Sequence, residues 1–338
     1  MINYFFIFSI ILNIFLIFFF RKISNLIGLF DKPDFQRKFH TGNVSATGGF
    51  LIFVNLFFLI LFLAVFNENF HFHLMFNSLK NFFVFSLFAS LFFLLGFLDD
   101  KYVISSNYKI IIFSLLIFFL VFLDKDLLIR NINFSFYPKI IDISSISIFF
   151  TILCFLLFIN AFNMFDGINL QSALYSLFIF SIFFVNGIYF YISITVIVSL
   201  IFFSYLNYKN RCFMGDNGTL FISFIISYIF VSTANSQNLF FADQIILIML
   251  IPGLDLFRLS IFRVIQNKHP FLADRDHIHH RLLDKFGFNN TLLILFFLIV
   301  PINIISLIYG YTFYLILLAI VLYIITLIVT SNKFLVKI

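Results

Sequence analysis

Four short runs in an otherwise apolar chain carry side chains able to do chemistry. Asp274 to Leu282 reads DRDHIHHRL and gathers two Asp, two Arg and three His within nine residues. Neutral imidazoles at His277, His279 and His280, flanked by Arg275 and Arg281, suit a clamp on a phosphate and its leaving group. Guanidinium groups grip phosphate oxygens in pairs, and an imidazole exchanges protons near neutral pH. On helical spacing His277 shares a face with His280 or Arg281, and His279 points elsewhere. Asp99 and Asp100 close an apolar run, where adjacent carboxylates repel each other and the negative end of the helix dipole. A divalent cation or a shared proton would offset both costs. Asp216, in the string GDNG, stands before another apolar run and suits either a helix N-cap or a Mg²⁺ ligand facing a diphosphate. Asn163, Asp166 and Gly167 form an NxxNxxDG string whose amides and carboxylate could read a planar heterocycle such as uracil. Each run also has a plainer reading: a basic interfacial patch or a zinc site for the histidines, a solvated helix end for the Asp pair, a turn, and an N-cap. Taken together they point to Mg²⁺-assisted phosphoryl transfer.

The elements that position them are set by composition. The chain has 338 residues, 62% hydrophobic and 11% charged, with a mean hydropathy of +1.11. So little polar surface excludes a soluble domain, and a bundle of spanning helices needs apolar runs of about 20 residues. Such runs fall near 4–20, 48–66, 80–98, 108–123, 145–162, 170–186, 188–206, 218–234, 243–259, 291–308 and 311–330, which predicts an all-α, multi-pass integral membrane bundle of about eleven helices. We expect one membrane-embedded domain over residues 1–338. The 60 Phe are read as compositional bias, and Cys154 and Cys212 lack the spacing of a redox pair or Cys-based zinc site. With this threading, 17 of the 21 Lys and Arg fall in the odd-numbered loops and the C-terminus and 4 on the other side. The positive-inside rule therefore puts the N-terminus outside and the C-terminus in the cytoplasm. All the chemically unusual runs fall on that cytoplasmic face. The net charge of +6 is a topology signal first, and nothing resembles a nucleic-acid module.

The motifs, in order and spelling, resemble the polyprenyl-phosphate N-acetylhexosamine-1-phosphate transferases, which include the WecA and MraY types. The match runs from Asp31-Lys32-Pro33 and Gly48-Gly49 through the Asp pair, NxxNxxDG and GDxG to the string from Pro270 to Leu282. The HIHH spelling and eleven spans are similar to the WecA branch. The resemblance implies transfer of a sugar-1-phosphate, with N-acetylglucosamine-1-phosphate as first choice, from a UDP-sugar to undecaprenyl phosphate, releasing UMP. It implies Mg²⁺ (or Mn²⁺) as cofactor, the bacterial cytoplasmic membrane as location, and leaves a homodimer open.

Carried over by position, Asp216 falls on the family's metal-ligand Asp, and Asp99 and Asp100 on its DD pair, which handles metal and lipid phosphate. Asn163, Asp166 and Gly167 fall on the uridine-binding turn, and Phe213 on an aromatic that stacks on uracil. His277, His279, His280 and Arg281, with Arg275 beside them, fall in the loop that contacts diphosphate or sugar. Lys38, His40, Gly48 and Gly49 lie in the first cytoplasmic loop, and Lys109 completes the candidate substrate-binding set. One departure stands out: Asn169 replaces the second Asp of the usual DGxDGL, keeping an acceptor oxygen but losing the charge. The rival readings are a MraY-type transferase of a UDP-muramoyl-pentapeptide, against which the His string argues, and a secondary transporter. A transporter calls for ionisable groups near mid-membrane or broken helices in matching halves.

Overall fold

The computed structural model describes residues 2–31, 42–65, 76–236, 239–270 and 274–331. In chain order these form α1 (Ile2–Phe18), α2 (Phe20–Ile27), β1 (Phe30–Asp31), β2 (Val44–Ser45), α3 (Gly48–Val65), α4 (Leu79–Tyr102) and α5 (Ser106–Leu123). There follow β3 (Asn131–Phe134), β4 (Tyr137–Asp142), α6 (Ser147–Phe165), α7 (Gln171–Val185), α8 (Phe190–Tyr208) and α9 (Gly215–Ser236). The last three helices are α10 (Ala242–Ile265), α11 (Ile278–Tyr309) and α12 (Thr312–Thr330). The strands are two small antiparallel pairs, β1 with β2 and β3 with β4.

Every apolar run expected to cross a membrane is helical, as it must be where no water satisfies backbone N–H and C=O groups. Among the described residues nine helices are long and apolar enough to cross, or ten if the bent pair α1 and α2, which meet at 72°, counts as one span. The count therefore stands at nine or ten where eleven was expected. The shortfall is α7, whose 15 residues rise about 22 Å, short of a hydrocarbon core of about 30 Å.

The chain groups into two compact units, residues 1–125 with 169–229, and residues 126–168 with 230–338. In the first, α3 and α8 pack face to face, with α1, α4 and α7 against them. The Phe bias becomes packing: Phe53 of α3 stacks on Phe93 of α4 (4.0 Å between centroids) and Phe92 on Phe224 of α9 (4.8 Å). A buried knot of Ser9, Asn13 and Asn55 ties α1 to α3 through reciprocal amide bonds of 2.8 and 3.1 Å, the kind of polar contact that binds helices in lipid. In the second unit α10 packs on α6, α11 and α12 around Leu247, Ile302, Leu315 and Ala319. Ser135, between the strands, hydrogen-bonds Asp243 and fastens the β3–β4 hairpin to the start of α10. Gly287, at φ +74°, breaks α11 into an amphipathic piece carrying the histidines and an apolar remainder. That break separates the chemistry-bearing stretch from the span, as composition alone suggested.

Candidate active site

In the first unit the end of α4, the start of α5 and the start of α9 meet at three carboxylates. Asp99, 4% exposed, sits in the last turn of α4. Its Oδ1 accepts the N–H of Ile104 at 2.8 Å, and its main-chain carbonyl accepts that of Val103 at 2.8 Å, so it finishes the helix. Lys109, from the first turn of α5, forms an ion pair with Asp99 and reaches Asp216 Oδ2 at 3.4 Å. One ammonium thus bridges two carboxylates that are 117 positions apart in sequence. Asp100 is used differently. Its carboxylate accepts the backbone N–H of Asp216 at 2.8 Å and of Asn217 at 2.9 Å, and also the Asn217 side-chain amide. It is the N-terminal cap of α9 supplied by another helix, satisfying donors that a helix start leaves open and placing charge at the positive end of the dipole. One turn before the pair, Gly96 makes the approach possible, since a Cβ there would overlap the Asp216 carbonyl and Asn217 Cα.

The segment before α3 forms the other rail of this site. Phe213 donates its N–H to Ser45 O at 2.8 Å, Gly48 N–H reaches Phe213 O at 2.9 Å, and Gly49 N–H reaches Met214 O at 3.0 Å. Asn217 donates its amide to Ala46 O at 2.7 Å. A Cβ on Gly49 would overlap Asn217 and Gly218, so the Gly48-Gly49 pair serves close backbone approach. Cys212 is fully buried beside this rail, and burial pushes its thiol up to about 12. Asn169 is bound into the same unit: its side-chain amide meets Asn210, and Asn207 donates to its oxygen at 3.4 Å. Asn207 also accepts from Leu170 N–H at 2.5 Å and donates to Cys212 O at 2.7 Å, tying the turn before α7 to the strand-like approach to α9. The amide that replaces an acid at Asn169 is therefore used as a hydrogen-bonding group in a turn, and Asn207 is a residue the motif reading did not single out.

In the second unit the histidines gather as a stack. His277 and His279 lie parallel, 5.3 Å between centroids at 6°, and His280 meets His279 at 4.4 Å. This corrects the expected face sharing: His277 is the N-cap of α11, with ψ 146°, so its ring does not follow helical spacing. His279 is 1% exposed and packs on the turn after α6, where a Cβ on Gly167 would overlap its Nε2 and where Phe165 meets the ring edge-on. Asp166 is the C-cap of α6, its N–H bonded to Asn163 O at 3.3 Å. The NxxNxxDG turn and the HIHH run thus meet at Gly167 and His279. Arg275 pairs with Asp284 at 3.1 Å and Arg281 with Asp276 at 3.5 Å, both partly exposed. Such pairs are weak enough to be exchanged for an anion.

Behind the histidines lies a polar cluster that sequence reasoning missed. Asp255 of α10 is 3% exposed and bonds His277 Nδ1 at 2.8 Å, Arg258 at 2.6 Å and Tyr323 Oη of α12 at 3.0 Å. The signal was available: Asp255 and Arg258 are ionisable groups inside an apolar span, where a charge is costly enough to mark a functional position. Lys38 and His40 lie outside the described residues.

Asp99 and Asp216, which share Lys109, are the two acids that could hold a divalent cation between them. Both are hard oxygen donors, and the three Asp against one Lys leave a formal excess of two negative charges. Among the described residues no group of three His, Cys, Asp or Glu is placed to hold a metal ion. A pair of carboxylates suits Mg²⁺, which commonly takes one or two and completes its shell with water and substrate phosphate.

Residues 82–234 match glycosyl transferase family 4. That segment, from α4 to α9, holds the whole carboxylate cluster and the NxxNxxDG turn. Over 286 residues, 81% of its length, the chain is 26% identical to the undecaprenyl-phosphate alpha-N-acetylglucosaminyl 1-phosphate transferase of Salmonella typhi, covering 74% of that protein. It is 28% identical over 286 residues to the probable undecaprenyl-phosphate N-acetylglucosaminyl 1-phosphate transferase of Bacillus subtilis, at 81% and 75% coverage. The Yersinia pestis enzyme of the same name as the Salmonella one is 28% identical over 285 residues, at 80% and 73%. The chain is thus similar to glycosyl transferase family 4 over residues 82–234, and to undecaprenyl-phosphate N-acetylglucosaminyl 1-phosphate transferases over about four fifths of its length, as its motifs suggested.

Proposed function

We propose that the protein transfers N-acetylglucosamine-1-phosphate from UDP-N-acetylglucosamine to undecaprenyl phosphate, releasing UMP and starting a lipid-linked glycan. The observation that carries the reading is the Asp99–Lys109–Asp216 bridge: two acids and one cation, placed by three helix ends, in a segment that matches the family. An oxygen of the lipid phosphate attacks the sugar-bearing phosphorus of the UDP-sugar. A new P–O bond forms, the P–O bond to the uridylyl phosphate breaks, and UMP leaves with that electron pair. No proton transfer is required, since both reacting phosphates are ionised near neutral pH.

Asp99 and Asp216 would hold Mg²⁺, which Mn²⁺ could replace, and the ion would neutralise diphosphate charge. Asp100 fixes the first turn of α9 and so the direction of Asp216. Lys109 moves between carboxylate and phosphate. Asn163, Asp166 and Gly167 take the uridine, with Phe213 offering a ring for stacking. Arg275, Arg281 and the three histidines bind diphosphate or sugar oxygens, and Asn169 and Lys38 complete the substrate-binding set. We assign the N-terminus to the outside and the C-terminus to the cytoplasm of a bacterial inner membrane, with eleven crossings that count the bent α1–α2 pair and the short α7. A panel of UDP-sugars offered to purified protein with undecaprenyl phosphate tests the substrate. UMP release is expected with UDP-N-acetylglucosamine and Mg²⁺ and not with chelator. Turnover confined to a UDP-muramoyl-pentapeptide would reject the sugar assignment.

A further inference from the structure

We propose that Asp255 is the positioning residue of His277. It holds the imidazole with Nδ1 protonated, so that Nε2 is the nitrogen presented to substrate, and Arg258 and Tyr323 lock Asp255 in place. The inference deepens the transferase reading, on which it rests for what His277 does.

The geometry distinguishes this from an ordinary buried ion pair. Arg258 and Tyr323 both bond Oδ1 of Asp255, at 2.6 and 3.0 Å, and bond each other at 3.0 Å. The second oxygen, Oδ2, is turned to His277 Nδ1 at 2.8 Å. The N–H of Ile278, the first residue of α11, lies 3.3 Å from both oxygens. Arg258 also donates to the carbonyl of Asp276 at 2.7 Å. Residues 276, 277 and 278 are thus each tied to Asp255 or Arg258, by main chain on either side of the histidine and by its ring in the middle. A carboxylate accepts only, so the bonded Nδ1 carries a proton and a neutral ring keeps its lone pair on Nε2. The parallel stack on His279 sets the ring plane as well. Carboxylate, imidazole and reacting group in series is the arrangement by which a third group orients a base or donor.

The test uses the full chain in detergent, labelled with ¹⁵N-histidine, and reads the tautomer from two-bond ¹H–¹⁵N spectra above the imidazole titration. His277→Gln identifies the His277 signals. Wild type is expected to show a protonated Nδ1 and a bare Nε2, and Asp255→Asn to lose that state. In turnover, Asp255→Asn is expected to lower kcat about 10–100-fold while leaving KM for the UDP-sugar within about threefold. In the His277→Gln background the same substitution is expected to cost nothing further, because a residue that acts through His277 has nothing left to act on. A wild-type His277 protonated on Nε2 overturns the proposal, as does an equal loss in both backgrounds. If Asp255→Asn does not fold, the wild-type spectrum decides. If wild type gives no turnover, the transferase reading falls and the spectrum still decides the Asp255–His277 relation.

Discussion

Asp100 accepts the backbone N–H of Asp216 at 2.8 Å, so the end of α4 holds the start of α9. The two adjacent acids of the DD pair are divided in purpose by this contact. Asp99 faces Lys109, and Asp100 is occupied by the first turn of α9.

Replacing Asp100 by Ala takes the acceptor from two main-chain N–H groups at the start of α9 and one of two acceptors from the Asn217 amide, which keeps Ala46 O. The loss is expected to reach about 2–3 kcal/mol, whereas Asp99→Asn, which keeps an acceptor for Ile104, loses turnover with a smaller change in unfolding. Thermal unfolding in detergent, followed beside UMP release, separates the two. Equal destabilisation by both would contradict the division.

Lys109→Met removes the cation shared by Asp99 and Asp216 and leaves two carboxylates facing each other. In chelator the unfolding midpoint is expected to fall by about 5 °C, and millimolar Mg²⁺ to restore most of that difference, because a divalent ion replaces the ammonium between the acids. Recovery with monovalent salt alone would argue for simple screening and against a cation site.

Gly167→Ala is expected to lower kcat about 100-fold with only a modest effect on stability, since the new methyl must displace the His279 ring. Turnover within a factor of two of wild type would show that the His279 position is unimportant.

Asn207→Ala removes the partners of Leu170 N–H and Cys212 O, two main-chain groups on separate turns. We expect a cost of about 2–4 kcal/mol in denaturant or thermal unfolding, larger than for Asn210→Ala, which removes a single exposed side-chain contact.

Asp274 gives a pH dependence of known sign. Burial raises its carboxyl, but the bonds from Arg263 at 2.9 Å and Asp276 N–H at 2.9 Å, with the charge of Arg263, hold it below the usual carboxylate range. A depressed value means that its stabilisation is complete above the unfolded value of about 3.9 and is lost as pH falls through the lower folded value. Asp274→Asn is therefore expected to lower stability at neutral pH and to flatten the acid limb of a plot of unfolding midpoint against pH. An unchanged acid limb would remove the Asp274–Arg263 pair from the account.

Composition and apolar length carried most of the fold to the page, because lipid leaves few choices for a backbone. The count was less legible, since α7 and the bent α1–α2 pair depend on packing and on a bend at Phe19 that no residue type announces. Motifs that place charge at helix ends singled out Asp99 and Asp216, and these two acids share Lys109. Motif spelling could not divide the labour of Asp99 and Asp100, because that depends on α9 docking at Gly96. His277 was assigned by helical spacing and escaped it, since an N-cap residue does not follow the 3.6-residue period. Asp255 lies inside α10 and outside every motif, although a charge in a span is itself a signal.

The central claim is that Asp216 belongs to a phosphoryl-transfer centre acting on a UDP-sugar and a lipid phosphate. Labelled UMP release from UDP-N-acetylglucosamine, measured on purified wild type and Asp216→Ala with undecaprenyl phosphate and Mg²⁺, tests it most directly. The account predicts lipid-dependent UMP release by wild type and none above background by a variant that still inserts and folds. Undiminished release by Asp216→Ala, or release by wild type that does not require the lipid phosphate, would contradict it.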